Sequence, residues 1–249
     1  MSEPPIGPKA IPKTAMLMAA GLGMRMRPLT LNTPKPLIRF MGKALIDHLL
    51  DRLVAVGVQR AVVNVHHLAD QMETHLRRRS DLEILISDER DGLLDTGGAL
   101  IKARPFLGDA PLFVLNTDQV WIDGPQSNLK RLADGYDPDR MDARLMMAGN
   151  VQSVGYRGLG DFQMDQAGRL TRRSPQTACP FVYASVQILH PRVLEGFAIE
   201  PFSGNRFWDR AAGDKRLYGM RLDGTWLHIG DPKALKAAER VWRDSAEHA

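Results

Sequence analysis

The chain has 249 residues, 44% of them hydrophobic and 25% charged, the balance of an ordinary globular protein, which excludes a disordered chain or a fibrous repeat. Lys plus Arg exceed Asp plus Glu by 33 to 29, but the cations are dispersed and no aromatic residues interleave with them, which argues against a nucleic-acid surface. No apolar run approaches the roughly 18 residues of a membrane span, and the single cysteine, Cys179, excludes an intramolecular disulfide and reads as a small buried hydrophobe in a reducing, cytoplasmic compartment.

Residues 1–13, "MSEPPIGPKAIPK", are Pro-rich and lack the apolar centre of a secretion signal. They read as a poorly ordered tail, and residues 14–249 as a single domain. "TAMLMAA", residues 14–20, is a continuous apolar run suited to a strand buried on both faces. Residues 44–57 place Leu45, Leu49, Leu53 and Val56 on one helical face and end in Gly57, a helix with its C-cap. A strand at 60–65, a helix at 68–79 and strands at 82–87 and 111–116 follow. The run Arg77, Arg78 and Arg79 falls at a helix C-terminus, where cations suit the dipole. Strands alternating with helices predict an α/β fold: a Rossmann-like, mostly parallel sheet flanked by helices, with right-handed crossovers. After Ile122 the regularity weakens. Residues 144–149, 161–173 and 181–189 read as strands, with a hairpin turn at 166–168, and residues 231–244 as a closing amphipathic helix. The chain thus divides into a nucleotide-binding half, about 14–122, and a smaller β-rich lobe, about 123–249.

Between the first strand and first helix runs "AAGLGMRMRPLTLNTPKPLI", residues 19–38. In an open parallel sheet ligands bind beyond the carboxyl ends of the strands, so a site is expected here. Gly21 and Gly23 let the main chain turn and bring N–H donors to an anion, while Arg25, Arg27 and Lys35 add positive charge. A dinucleotide fingerprint would need glycine where Met26 stands, and a P-loop needs Gly-Lys-Ser/Thr, which is absent. Gly-Leu-Gly alone could be an ordinary turn. The full string, stiffened by Pro28, Pro34 and Pro36 around Lys35, is far more specific. It resembles the signature loop of the sugar-1-phosphate nucleotidylyltransferases, whose nucleotide-diphospho-sugar transferase fold the chain is then expected to share. The resemblance implies that Ala20, Gly21, Gly23, Met24, Arg25 and Lys35 enclose a nucleoside triphosphate, with Arg25 and Lys35 catalytic.

Three further stretches agree. "LLDTGGAL", residues 93–100, occupies the place of the family's Thr-Gly-Gly segment, implying Thr96, Gly97 and Gly98 beneath the base and sugar. A helix start capped by Asp95 or Thr96 is compatible with that role. "LNTDQVW", residues 115–121, looks like the family's Asn-x-Asp segment, with Asn116 toward the sugar phosphate and Asp118 as a catalytic magnesium ligand. "GDF" at 160–162 and "VYASVQILHP" at 182–191 resemble the acceptor lobe, implying Gly160, Asp161 and Tyr183 in the sugar-phosphate site.

One position departs from the pattern. Relatives commonly carry Trp-x-Asp-hydrophobic-Gly-Thr, whose Asp is a second magnesium ligand. This chain has "WLHIGDP", residues 226–232, with His228 for that Asp and Asp231 where Thr is usual. Magnesium prefers oxygen ligands, so three readings stay open: Asp118, waters and substrate phosphates hold the ion; Asp231 or another carboxylate reaches in; or activity is impaired. A purely structural His228 packed beside Trp226 is an equal alternative to a ligand.

The resemblance implies nucleotidyl transfer from a nucleoside triphosphate to a sugar 1-phosphate, with Mg2+, in a monomer or small homo-oligomer that engages neither nucleic acid nor membrane. The acidic residue before Thr-Gly-Gly is similar to the short N-acetylmuramate-1-phosphate uridylyltransferases of cell-wall recycling, which points to UTP. Mannose-1-phosphate guanylyltransferases, usually Gly-Thr-Ala-Gly there, are the alternative. A non-catalytic nucleotide or sugar-phosphate sensor is a third reading, kept open by His228.

Overall fold

The computed structural model describes residues 11–246. Strand β1 (Thr14–Met18) feeds the long loop, which ends in the hairpin of β2 (Arg39–Phe40) and β3 (Lys43–Ala44) and then α1 (Leu45–Ala55). The alternation continues through β4 (Arg60–Val65), α2 (Ala69–Leu76), β5 (Glu83–Asp88), α3 (Asp95–Leu107) and β6 (Leu112–Asn116). The second half runs β7 (Gln119–Asp123), α4 (Asn128–Asp134), β8 (Ala143–Gly149), β9 (Phe162–Met164), β10 (Leu170–Arg172) and β11 (Phe181–Leu189). It closes with α5 (Asn205–Gly213), β12 (Leu217–Arg221), β13 (Gly224–His228) and α6 (Pro232–Ala246).

Strands β6, β1, β4 and β5 lie side by side and all parallel, as the alternation of strands with helices predicted. β1 sits between β6 and β4, so the chain departs from it in both directions across the sheet. Such a switch point leaves a crevice beyond the strand ends. The second half does not stand apart. β11 pairs antiparallel with β6 and carries β8 and β9, and β12 joins β8 in parallel. One nine-stranded mixed sheet therefore runs through both halves.

The faces of the sheet are covered by two cores. One packs Leu49, Leu50 and Leu53 of α1 and Met72 and Leu76 of α2 against β1 and β4. The other packs Leu100, Ala103 and Leu107 of α3 and Phe207 and Ala211 of α5 against Met16, Val62 and Val114. A third, smaller core joins Met26 and Ile38 of the long loop to Val120 of β7, Leu227 of β13, Ile229 and Ala238 of α6. Each fully buried aliphatic side chain contributes about 1.5–3 kcal/mol, so this third core is what fixes the loop. Cys179 is buried, as expected of a small hydrophobe.

Of the expected tail, residues 1–10 lie outside the described residues. Ile11 packs against the first core and Lys13 Nζ donates to the Gly57 carbonyl, 3.2 Å away, so these two residues of the expected tail are held by the domain. No helix among the described residues is long and apolar enough to cross a membrane.

Candidate active site

Beyond the carboxyl ends of β1 and β6 opens a cavity of about 540 Å³, lined by residues 18–25, Lys35, Pro36, Asn64, Leu93, Asp95, Thr96, residues 116–118 and Gly230. The loop residues predicted to surround a nucleotide, Ala20, Gly21, Gly23, Met24, Arg25 and Lys35, all line it. Two short helical turns, Met24–Met26 and Lys35–Leu37, shape this wall. Gly23 begins the first with φ 62°. A Cβ there would stand 3.0 Å from the Thr30 methyl and 3.1 Å from Lys35 Cβ, and the Thr30 hydroxyl donates to the Gly23 carbonyl at 2.8 Å. Gly23 therefore pins one arm of the loop against the other. Gly21 instead faces open space, leaving room for a ligand. Met26, where a dinucleotide loop would need glycine, is fully buried in the third core; it anchors the loop instead of admitting a phosphate.

Asp118 follows β6 and precedes β7, which pairs antiparallel with β13 so that His228 lies opposite Gln119. The Ile229 amide donates to the Asp118 carbonyl at 2.8 Å. The ribbon thus sets Asp118 beside His228, bringing together residues far apart in sequence. Lys35 Nζ donates to Asp118 Oδ2 at 2.9 Å, with both side chains largely buried. Oδ1 is buried with no partner, as is His228 Nδ1. Burial pushes the Asp118 carboxyl up, but Lys35, His228 and Arg25 outweigh it and hold the group below its usual range. Burial lowers the His228 imidazole; Asp118 opposes that shift, and Lys35 and Arg25 reinforce it. Asp118 thus favours its carboxylate form and His228 its neutral imidazole. His228 also packs on Trp226, ring centroids 5.4 Å apart, and a Cβ at Gly230 would come within 2.7 Å of its Nε2.

Two residues at or behind the cavity wall were missed. Asn64 and Glu89 are buried, Glu89 completely. Asn64 Oδ1 accepts from the Ala19 amide at 2.7 Å, and its Nδ2 donates to Glu89 Oε1 at 2.8 Å. Glu89 Oε2 accepts from the Leu94 amide at 3.2 Å. This relay ties the exit of β1 to the entry of α3. The available signal was the polar Asn64 within the apolar run "RAVVNV".

The Thr-Gly-Gly expectation needs correction. Thr96 lines the cavity, but Gly97 and Gly98 are buried behind it, and the Gly97 amide already donates to the Phe202 carbonyl at 2.8 Å. A Cβ at Gly97 would meet the Phe202 ring at 2.3 Å, and one at Gly98 the Glu200 carbonyl at 2.1 Å. Their smallness admits the 200–204 segment, not a ligand. The Asn116 side chain reaches the cavity and donates to Ser185 Oγ at 3.4 Å. Gly160, Asp161 and Tyr183 line neither this cavity nor the second one described below. They form a corner between β9 and β11, in which Asp161 Oδ2 accepts from the Tyr183 amide at 2.9 Å.

A family model described as "Nucleotidyl transferase" matches residues 14–170, taking in the loop, the cavity and Asp118. The chain belongs to the nucleotidyl transferase family. It is 45% identical over 92% of its length to the N-acetylmuramate alpha-1-phosphate uridylyltransferase of Caulobacter vibrioides, covering 96% of that protein. It is 31% identical over 88% of its length to the mannose-1-phosphate guanylyltransferase catalytic subunit beta of Drosophila pseudoobscura pseudoobscura, covering 59% of that longer protein. Among solved structures, UDP-glucose pyrophosphorylase complexed with UDP-glucose superposes with a TM-score of 0.73 at 18% identity, over 94% of this chain and 99% of that one. The inositol-1-phosphate CTP transferase from T. maritima gives 0.71 at 18% identity, over 91% and 92%; both show the shared fold. In this nucleotidyl transferase no three His, Cys, Asp or Glu side chains converge as a metal-binding group among the described residues. Asp231 Oδ1 accepts from the Lys233 and Ala234 amides, capping α6. The orphaned Asp118 Oδ1 is thus the oxygen that fits a hard cation.

Proposed function

We propose that this transferase moves a uridylyl group from UTP to N-acetylmuramate 1-phosphate, giving UDP-N-acetylmuramate and pyrophosphate in the reuse of cell-wall sugar. The observation that carries this reading is the 45% identity to the Caulobacter uridylyltransferase across nearly the full length of both chains. The guanylyltransferase relatives are less similar, 28–31% identical.

A phosphate oxygen of the sugar attacks the α-phosphorus in line, the bond from that phosphorus to the bridging oxygen breaks, and pyrophosphate leaves with the electron pair. This chain needs no covalent nucleophile; its residues position the reactants and stabilise charge. Lys35 gives one of its three N–H donors to Asp118, leaving two for phosphate oxygens. Arg25, exposed at the cavity rim, meets the leaving diphosphate. Asp118 Oδ1 would hold the magnesium ion, which when bound supplies neutralisation of phosphate charge; phosphate oxygens and waters would have to make up for the carboxylate that His228 does not provide. Pyrophosphate release from a panel of nucleoside triphosphates and sugar 1-phosphates tests the reading. UTP with N-acetylmuramate 1-phosphate is the expected best pair, and a preference for GTP with mannose 1-phosphate contradicts it.

A further inference from the structure

A second cavity, of about 830 Å³, lies between the Gly155–Gly158 segment and the start of α6. Arg25 is the one residue lining both cavities, so the two meet at the guanidinium assigned to the phosphates. Arg157 and Lys233 also line the second. All three cations are exposed, and among the described residues none of their side chains is held by a hydrogen bond or an ion pair. Elsewhere the chain commonly pairs its arginines: Arg79 with Asp51 and Asp81, Arg90 with Asp70, Glu73 and Asp88, Arg192 and Arg216 with Asp142.

The Arg157 segment is held firmly. The Val154 amide donates to the Trp226 carbonyl at 3.0 Å and the His228 amide to the Val154 carbonyl at 2.8 Å. Gly155 has φ 80°, and a Cβ there would meet the His228 carbonyl at 2.1 Å. The only carboxylate in the lining, Asp231, is engaged in capping α6. Three cations against one carboxylate, with Asp231 in electrostatic reach of Arg157 and Lys233, leave the lining net positive, which suits a multiply charged anion.

We propose that this cavity receives the pyrophosphate end of the triphosphate, with Arg157 and Lys233 as binding cations beyond Arg25. A triphosphate seated by its nucleoside in the first cavity, with its α-phosphorus at Lys35 and Asp118, carries its terminal phosphates toward Arg25 and the second cavity. This inference rests on the nucleotidyl-transfer reading for its ligand. The other phosphate-bearing reactant is the sugar 1-phosphate, and the test separates the two.

Arg157→Ala, Lys233→Ala and the double variant should fold as wild type, since both side chains are exposed. Pyrophosphate binding to each is measured by calorimetry at fixed ionic strength with magnesium. KM for pyrophosphate in the reverse direction and for sugar 1-phosphate in the forward direction are measured alongside. Each single variant is expected to weaken pyrophosphate binding about fivefold, the upper range for an exposed ion pair, and the double variant more. The KM for sugar 1-phosphate should stay within about twofold, and Arg157→Lys should restore part of the binding. Unchanged pyrophosphate affinity in the double variant overturns the proposal, and so does a rise in the KM for sugar 1-phosphate alone. A wild type without turnover that still binds pyrophosphate through these cations upholds the cavity and removes the transfer reading instead.

Discussion

Asp118 divides its carboxylate between two settings: one oxygen is paired to Lys35 and the other is buried without a partner. Asp118→Asn keeps the shape and removes the charge, so turnover should fall by at least roughly 10²-fold with little change in melting temperature. An unchanged rate at saturating magnesium would remove Asp118 from the mechanism. Lys35→Ala and Arg25→Ala should each cost a similar factor in turnover, and a loss of nucleotide affinity with normal turnover at saturation would reassign the residue to ground-state binding. His228 makes a different prediction. Its folded pKa is lowered by burial, so the folded chain binds fewer protons there than the unfolded chain. Its contribution to stability is complete above the ordinary value of about 6.5 and is lost as pH falls through the lowered one. The His228 imidazole, followed by NMR, should titrate below 6.5 in the ligand-free protein. His228→Asp restores an oxygen ligand and should lower the magnesium concentration needed for half-maximal activity. These residues were legible in the sequence through their loop and strand-end settings, but the contact of Asp118 with His228 was not, because it depends on β7 pairing with β13 across a hundred intervening residues.

At the scale of elements, the signature loop is held by packing as much as by turn chemistry. Met26→Ala would leave a cavity in the small core shared with β7, β13 and α6 and should cost about 2–5 kcal/mol, seen as a lowered denaturation midpoint together with weakened nucleotide binding. Wild-type nucleotide affinity in a destabilised Met26→Ala would mean that the loop does not depend on this anchor. Gly97→Ala brings a Cβ against the Phe202 ring and carbonyl and should destabilise by about 1–3 kcal/mol through overpacking; unaltered stability would show that the 200–204 segment yields. The parallel strands could be read from their alternation with helices and from the continuous apolar run of β1, and α1 from its helical spacing. Helices α4 and α5 were not anticipated. Nor was the burial of Gly97 and Gly98, because a Thr-Gly-Gly string looks the same whether its glycines face a ligand or a phenylalanine.

Across the whole molecule, one sheet joins the first half of the chain to the second through the pairing of β6 with β11, and the carboxyl ends of β1 and β6 bring the loop, Asn116 and Asp118 to a single cavity. The α/β class followed from the alternation of elements, whereas the merging of the second half into the same sheet required pairings between strands far apart in the chain. Relatives that share this fold at 18% identity act on different substrates by their names, so architecture alone does not choose the base or the sugar. Uridylyl transfer to N-acetylmuramate 1-phosphate is tested by the ratio of kcat/KM for that sugar phosphate with UTP to kcat/KM for mannose 1-phosphate with GTP, read by pyrophosphate release. A ratio well above one is expected, with all activity abolished in Asp118→Asn. A ratio below one, or no turnover with any pair, would contradict it.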